Sequence, residues 1–600
     1  MRKSSITDAA LRKKYNGLLT AFWGVMLIAA LIGPMVLGPY LVGFLCVIYL
    51  YCMLSISLNV AAGFCGMSTF ATGALYGMGA YISAFAYTKY GMPFFVALFL
   101  GVLSSVIIGF IISGSAYKVS GTYLTLVSYG MLQVFNRVII SYYEYTGGSS
   151  GFKLDKWVIF GMKVSRTVKN YILLGVLVLF YIVQKNLAKS QWGRDFLAVK
   201  NNPIAASALG INVGKARIIG FVISSVMAGM AGVLYASYAS FISPESFTFK
   251  VSIMVLLMIV VGGRGTLGGP IIGTFIIYIV PELFNDYPDL KQIFYGALLI
   301  IFVQLMPQGL CGMIKKRFPQ VAYNKEIEGK PPAEHLNLEH YRVEADDPNE
   351  DILVLKGLTK KYGGLVALNN LDMTIKRGTI HALIGPNGAG KTTCVNNMTG
   401  IEAPTSGTVT YKGKDITGIN SSKLAYLGVT RTYQHVRLFN EMSVIDNVVT
   451  GARLSQSYSL GHALLSTRKK KRIDKENYIA AMECLENLGL GGRPNEFPGN
   501  MSAGQQKLLE IARAFVAKPE LLILDEPCAG LTETETAEFA TLMKEIRKTG
   551  ISILLIEHHM SLVMDVSDYI TVIDHGTKIG EGTPAVVSAD PVVRKAYLGE

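Results

Sequence analysis

Runs of about twenty apolar residues recur through the first 320 positions of this 600-residue chain and then stop. A helix needs about 20 such residues to cross a hydrocarbon layer roughly 30 Å thick. The stretches 18–37, 40–61, 94–116, 122–142, 170–186, 216–242, 251–280 and 292–310 meet that length, and 251–280 is long enough for two segments with a break. A weaker, glycine-rich stretch covers 66–88. The expectation is a polytopic all-α membrane domain over 1–320 with eight to ten helices, some of them broken. The charges agree. Residues 1–320 carry 25 Lys and Arg against 8 Asp and Glu, whereas 321–600 carry 31 against 34, so the net +14 comes from the apolar part. Basic clusters at 2–14, 185–200, 215–217 and 315–317 mark cytoplasmic ends and make the number of crossings even. The excess therefore reports membrane orientation, and no nucleic-acid partner is expected. The first apolar run is too long, and followed by too many others, for a cleaved signal. Seven scattered Cys without a CxxC pair speak against a disulfide scaffold.

Glycines interrupt the apolar text at Gly63–Gly79 and Gly262–Gly269. Inside a bilayer such breaks are tolerated only within protein or beside a cavity. They line a substrate path or permit close helix packing, and the sequence leaves both open. Polar residues in or beside the runs are few: Asn59, Gln133, Asn136, Arg137, Glu144 and Glu282. The segment Trp192–Ile211 is polar, then amphipathic, with basic ends. It reads as a cytoplasmic helix that touches a partner.

From Val321 to Asp351 acidic residues crowd around Pro331–Pro332, which reads as a tether. Residues 352–600 contain no run long enough to span a membrane and all but two of the eight His, the others lying in the tether. This second domain opens with strand-like text and then Gly385-Pro386-Asn387-Gly388-Ala389-Gly390-Lys391-Thr392-Thr393. The spacing G-x-x-x-x-G-K-T is that of a phosphate-binding loop, whose backbone N–H groups curl around phosphate oxygens. Lys391 is placed to meet the β- and γ-phosphates of a nucleotide and Thr392 to hold Mg²⁺. Downstream, Leu521-Leu-Ile-Leu-Asp-Glu-Pro527 reads as a buried parallel strand that delivers Asp525 for the Mg²⁺ shell and Glu526 to orient or deprotonate a water. Met501-Ser-Ala-Gly-Gln-Gln506 precedes a helix, where Ser502 and the backbone at Gly504 can meet a phosphate. Gln434 lies between the two phosphate motifs. His558 follows an apolar strand, and Tyr362 lies 23 residues before the loop. The fold class is thus an all-α membrane domain followed by an α/β P-loop NTPase with a helical subdomain.

The order of these motifs resembles the nucleotide-binding domain of ATP-binding-cassette (ABC) transporters over essentially all of 352–600. GPNGAGKTT, RTYQHVRLF with NEMSVIDNV, and IEHHMSLVMDV are most similar to the ATPase of branched-chain (hydrophobic) amino-acid importers. Leu58–Asn59, Ser68–Tyr81, Thr146–Gly148, Ala205–Val213 and Gly262–Pro270 resemble the matching permease over about 40–280. The resemblance implies two cassettes closing head to tail around two ATP molecules. It implies that Tyr362 stacks on adenine and that Lys391, Thr392 and Thr393 hold phosphate and Mg²⁺. Gln434 would sense Mg²⁺ and contact the permease. Ser502, Gly504 and Gln505 would complete the opposing site, with Glu526 as catalytic base and His558 as switch. The loop Trp192–Gly210 would couple the halves. Departures from the family pattern are Met501 and Ala503 in the signature, Thr532 where the loop after the carboxylates usually offers Asp, and Ile204 where a coupling Glu is usual. The basic run Arg468–Arg472 reads as a solvated face, with anionic lipid as the alternative.

The expected protein is a fused permease and ATPase in a bacterial-type inner membrane, with its ATPase cytoplasmic, using ATP and Mg²⁺ to import a small hydrophobic amino acid. One permease and one cassette per chain require a homodimer or a second permease and ATPase. An extracytoplasmic solute-binding protein is expected as well. Urea or short amides are alternative cargoes for the same machine, and an exporter half-transporter is the alternative from another class.

Overall fold

The computed structural model describes residues 23–279 (apart from seven positions within 119–120 and 156–164), 308–317, 338–343 and 350–598, with scattered single positions in 17–21 and 293–306. Two compact units emerge. One comprises Met1–Lys200, Val213–Asn324 and Ala463–Ser466; the other comprises Asn201–Asn212, Lys325–His462 and Thr467–Glu600.

Among the described residues of the first unit, six helices are long and apolar enough to cross a membrane: Pro39–Phe64, Phe94–Ser115, Tyr123–Ser141, Arg166–Ala188, Val213–Tyr238 and Pro244–Gly262. Trp23–Val36 and Gly269–Ile279 are shorter apolar helices. The weak stretch 66–88 contains the helix Thr72–Ala84, continued by a π-helical turn to Lys89. Glu282 and most of the run 292–310 lie outside the described residues. Each helix shows two faces. On Phe94–Lys118, Phe95, Phe99, Leu103, Ile107, Phe110 and Ile111 are exposed, which suits lipid. On the other face, Ser105 Oγ donates to the Leu75 carbonyl at 2.8 Å. A Cβ at Gly109 would lie 2.0 Å from Ser225 Oγ, so this glycine serves close helix packing.

The glycine breaks are pinned to one another. Asn59, fully buried in a π-helical turn Asn59–Phe64, accepts from the Gly265 N–H at 2.8 Å and donates to the Thr266 carbonyl at 3.0 Å. The break between the helices Phe249–Gly262 and Gly269–Ile279 thus has its freed backbone groups satisfied by a side chain. A Cβ at Gly63 would lie 2.7 Å from the Gly265 nitrogen, and one at Gly273 1.8 Å from the Met258 carbonyl. At these positions the packing role wins over a path lining.

The second unit holds a six-stranded sheet in the order Val429–Arg431, Leu521–Asp525, Ser552–Ile556, Ile380–Ile384, Tyr569–Asp574, Thr577–Gly582. The first five strands are parallel and the last pairs antiparallel. The three central strands are buried at every position, which is why they read as unbroken apolar runs. A four-stranded antiparallel sheet, Leu365–Lys376, Asp351–Tyr362, Ser406–Tyr411 and Lys414–Asp415, accompanies it. Helices Val444–Ala452, Arg468–Asn487 and Ala503–Phe515 pack in one apolar cluster.

Two sequence expectations need correction here. The acidic tether ends earlier than Asp351. Leu338 and Tyr341 are buried in the helical cluster, Tyr341 stacks on Phe515 with ring centroids 4.4 Å apart, and the Val343 N–H donates to the Thr549 carbonyl. Two large apolar side chains among nine acids were enough to anchor the chain. The run Arg468–Arg472 is also not wholly solvated. Lys470 is buried and paired with Asp474 at 3.0 Å, while Tyr458 donates to the same carboxylate.

One buried imidazole makes the second unit sensitive to acid. His381 lies in the central strand, 2.9 Å from Thr571 Oγ1, and burial pushes it down to about 4. The unfolded chain takes up this proton near pH 6.5, so the stability it carries is complete above that and is lost as pH falls towards 4. The difference of roughly 2.5 units corresponds to about 3 kcal/mol. Thermal unfolding of the purified protein followed between pH 7 and 4 should show this loss, and His381→Gln should flatten it by a comparable amount.

Candidate functional site

The strand Ile380–Ile384 runs directly into the loop 385–390, and the helix Lys391–Met398 follows. The glycines are needed for two different reasons. Gly388 and Gly390 take φ of 84° and 100°, where a side chain is strained. A Cβ at Gly385 would lie 2.2 Å from the Ile573 carbonyl, and one at Gly390 2.5 Å from the Ala367 carbonyl. Lys391 curls over the loop and donates to the carbonyls of Gly385 and Pro386 at 2.7 and 3.0 Å. Partial burial lowers its pKa, opposed by the nearby charges of Glu526 and Asp525.

Those carboxylates stand at the end of the neighbouring strand but one. Asp525 is buried and accepts from Arg431 Nη2 at 2.7 Å. Arg431 Nη1 donates at 2.8 Å to Asn396, on the helix that follows the phosphate loop. This guanidinium thus ties three elements together and neutralises a charge that would otherwise be buried alone. Glu526 takes φ of 47°, in the left-handed region, with its N–H donating to the Ile556 carbonyl at 2.9 Å. Gln434 Nε2 donates to Glu526 Oε2 at 3.0 Å, and His558 Nδ1 lies 3.9 Å from the same oxygen. Lys507 Nζ donates to the backbone carbonyls of Glu526 and Ala529 at 3.1 and 2.6 Å, which fixes the turn after the strand. Burial lowers the pKa of Lys507 as well. Glu557, fully buried, accepts from the N–H groups of Cys528 and His558 at 2.9 and 3.1 Å.

Lys391, Gln434, Asp525, Glu526 and His558 are therefore brought together. Tyr362 also sits beside the loop: its hydroxyl donates to Glu402, which raises its pKa, and it contacts the Thr393 side chain. Its ring is 44% exposed and available for stacking. Ser502, Gly504 and Gln505 are placed elsewhere. Ser502 and Gln505 form a reciprocal capping box at the start of the helix Ala503–Phe515. A Cβ at Gly504 would lie 2.7 Å from Glu535 Oε1. Glu535 in turn shares a capping box with Thr532, so that residue has a structural duty at the start of the helix Glu533–Lys548. A cavity of about 450 Å³ is lined by Cys528, Gly530, Glu557, His558, His559 and Leu562, and none of its lining residues belongs to the phosphate loop.

The segment Asn201–Asn212 belongs to this second unit although it lies between two spans in sequence. Its short helix Pro203–Ala208 is capped by Asn202. Tyr433, next to Gln434, donates to the Ile204 carbonyl at 3.3 Å. Ala205 and Ala206 are buried, and a Cβ at Gly210 would lie 2.5 Å from a Leu454 methyl. The backbone of Ile204 takes part where its aliphatic side chain offers no ion pair. Sequence reasoning missed Arg431, Lys507 and Glu557. Arg431 stood in the quoted RTYQ text, and Glu557 directly precedes His558, but neither announces its partner without the strand register.

Known proteins agree with this architecture. Residues 40–303 match the family model of the branched-chain amino acid transport system permease component. Residues 368–529 match the ABC transporter model, and 577–600 that of the branched-chain amino acid ATP-binding cassette transporter. The high-affinity branched-chain amino acid transport ATP-binding protein LivG of Salmonella typhimurium is 43% identical over 253 residues, 42% of this chain and 99% of that protein. BraF of Pseudomonas aeruginosa, of the same description, is 40% identical over 250 residues, 42% of this chain and 98% of that protein. A nucleotide-free ATP-binding cassette of known structure aligns with a TM-score of 0.37 at 31% identity, covering 42% of this chain and all of that one. The chain belongs to the ABC transporter family, with a permease of the branched-chain amino-acid type and its ATPase joined in one polypeptide.

Proposed function

We propose that this chain is the permease and ATPase of an importer that moves branched-chain or other hydrophobic amino acids into the cell at the expense of ATP. The observation that carries it is the cluster of Gln434 and His558 on the Glu526 carboxylate, next to a segment whose Tyr433 holds the helix Pro203–Ala208. Nucleotide chemistry and the inter-span loop thereby meet at adjacent residues. The names of LivG and BraF support the cargo class.

In this reading, Tyr362 stacks on adenine and the amides of Gly385–Thr393 surround the phosphates. Lys391 exchanges its two carbonyl acceptors for phosphate oxygens. Thr392, Asp525 and Gln434 offer only oxygen donors, and few of them, which suits magnesium bound mainly through phosphate and water. When bound, magnesium neutralises charge on the β- and γ-phosphates. Glu526 accepts the proton of the attacking water, with Gln434 and Lys507 fixing its carboxylate and its backbone, and His558 faces the γ-phosphate. Ser502, Gly504 and Gln505 sit at a helix start apart from the phosphate loop and complete the site of a second cassette. A second copy, or another permease and ATPase, supplies that cassette, and an extracytoplasmic binding protein delivers the amino acid.

Glu526→Gln should retain ATP binding and lower hydrolysis by about 10²–10⁴-fold, since it removes a general base without changing shape. Turnover near that of the parent would remove Glu526 from this role. Lys391→Ala should weaken nucleotide affinity at least about tenfold, the loss of one charge-assisted contact. Ala206→Glu would drive a charge into a buried position of the inter-span helix. It should leave basal ATPase activity while abolishing uptake of labelled leucine into proteoliposomes supplied with the binding protein. Uptake of urea or acetamide in place of leucine by the parent protein would change the cargo while keeping the machine.

A further inference from the structure

A short insertion of the cassette sequence lies with the membrane helices. Residues Ala463–Ser466 belong to the first unit, where Asn186 Nδ2 donates to the Leu464 carbonyl at 2.8 Å. Asn186 is near the end of the helix Arg166–Ala188, on the face it shares with Ile172, Leu179 and Ile182 by helical spacing. Those three are exposed, so this is the lipid-facing stripe. The end of the helix is cytoplasmic, because the chain reaches the cytoplasmic unit by Asn201. Leu465, directly after the contact, is 78% exposed.

Three residues further the chain enters the helix Arg468–Asn487, within about 10 Å of Leu465 by the reach of extended backbone. Arg468, Lys469, Lys471 and Arg472 are all exposed on its first turns, and Lys185 and Lys189 are exposed beside Asn186. Among the described residues no carboxylate pairs with Arg468, Lys469 or Lys471. Cations at a helix N-terminus oppose the macrodipole and cost a few tenths of a kcal/mol each, so folding of the helix alone does not explain them. An apolar side chain followed by a basic turn, at the cytoplasmic end of a lipid-facing stripe, has the order of an interfacial anchor.

We propose that the insertion 460–472 docks on the cytoplasmic membrane surface, with Leu465 in the interface and Arg468, Lys469, Lys471 and Arg472 binding anionic phospholipid headgroups. The cassette is then held to the bilayer directly, besides the attachment through its own chain.

The test uses the full-length protein in vesicles of phosphatidylcholine mixed with phosphatidylglycerol, either lipid being brominated on its acyl chains. Leu465→Trp should be quenched beyond the unsubstituted chain, with its three native Trp. Brominated phosphatidylglycerol should quench more than brominated phosphatidylcholine, reflecting an enrichment of about fivefold for one basic contact at the surface. Changing Arg468, Lys469, Lys471 and Arg472 together to Gln should abolish that preference while basal ATPase activity stays. Quenching no greater than in the unsubstituted chain, or equal quenching by the two lipids, overturns the proposal. Loss of the preference in excess inorganic phosphate would make the cluster a site for soluble anions and overturn it as well.

Discussion

The parallel register of four strand ends is the constraint on which the catalytic unit depends. Arg431 lies opposite Ile523, Asp525 opposite Ile556, and Ile556 opposite Leu383, each in register across the sheet. Their carboxyl ends therefore deliver the guanidinium, the two carboxylates, the histidine turn and the phosphate loop to one edge. Ligands of open parallel sheets bind at that edge because the loops leave the strands there. A shift by one residue in any strand would send its terminal side chain to the opposite face. The buried pair of Arg431 and Asp525 helps fix the register, since neither charge has another partner that would satisfy it at that depth.

The membrane unit meets a different requirement with different means. Its helices approach until backbone atoms nearly touch, at Gly73, Gly79 and Gly232 as well as at the paired breaks. Lipid tails offer no hydrophobic advantage to one helix packing over another, so contact area and hydrogen bonds must hold the bundle. Small hydroxyls do much of this. Ser57 donates to the Ser224 carbonyl, Ser252 to that of Phe70, and Ser55 faces Thr274 at 2.9 Å.

Much of this was legible in the sequence because local text and fold coincide there. The phosphate loop, the apolar strand ending in two acids and the runs of membrane length each carry their geometry in their spacing. What stayed hidden depends on pairing at a distance. Nothing in Asn59 alone says that it satisfies Gly265, 206 positions away. The role of Thr532 as a helix cap was readable, since Thr-x-x-Glu535 is a capping box, yet the family pattern drew attention to the missing Asp instead. Leu338 and Tyr341 escaped notice because two side chains barely alter the average of an acidic stretch. The basic run hid one buried member, as composition does not tell which side of a helix a lysine takes.

The left-handed turn at Glu526 sets stability against turnover at a single position. A side chain is disfavoured there by about 1 kcal/mol or more, whereas glycine would sit without strain. Replacement by glycine would relax the turn and at the same time delete the carboxylate that Gln434 and His558 surround. A search for sturdier variants guided by heat resistance alone would therefore be drawn to this residue and would recover inert proteins.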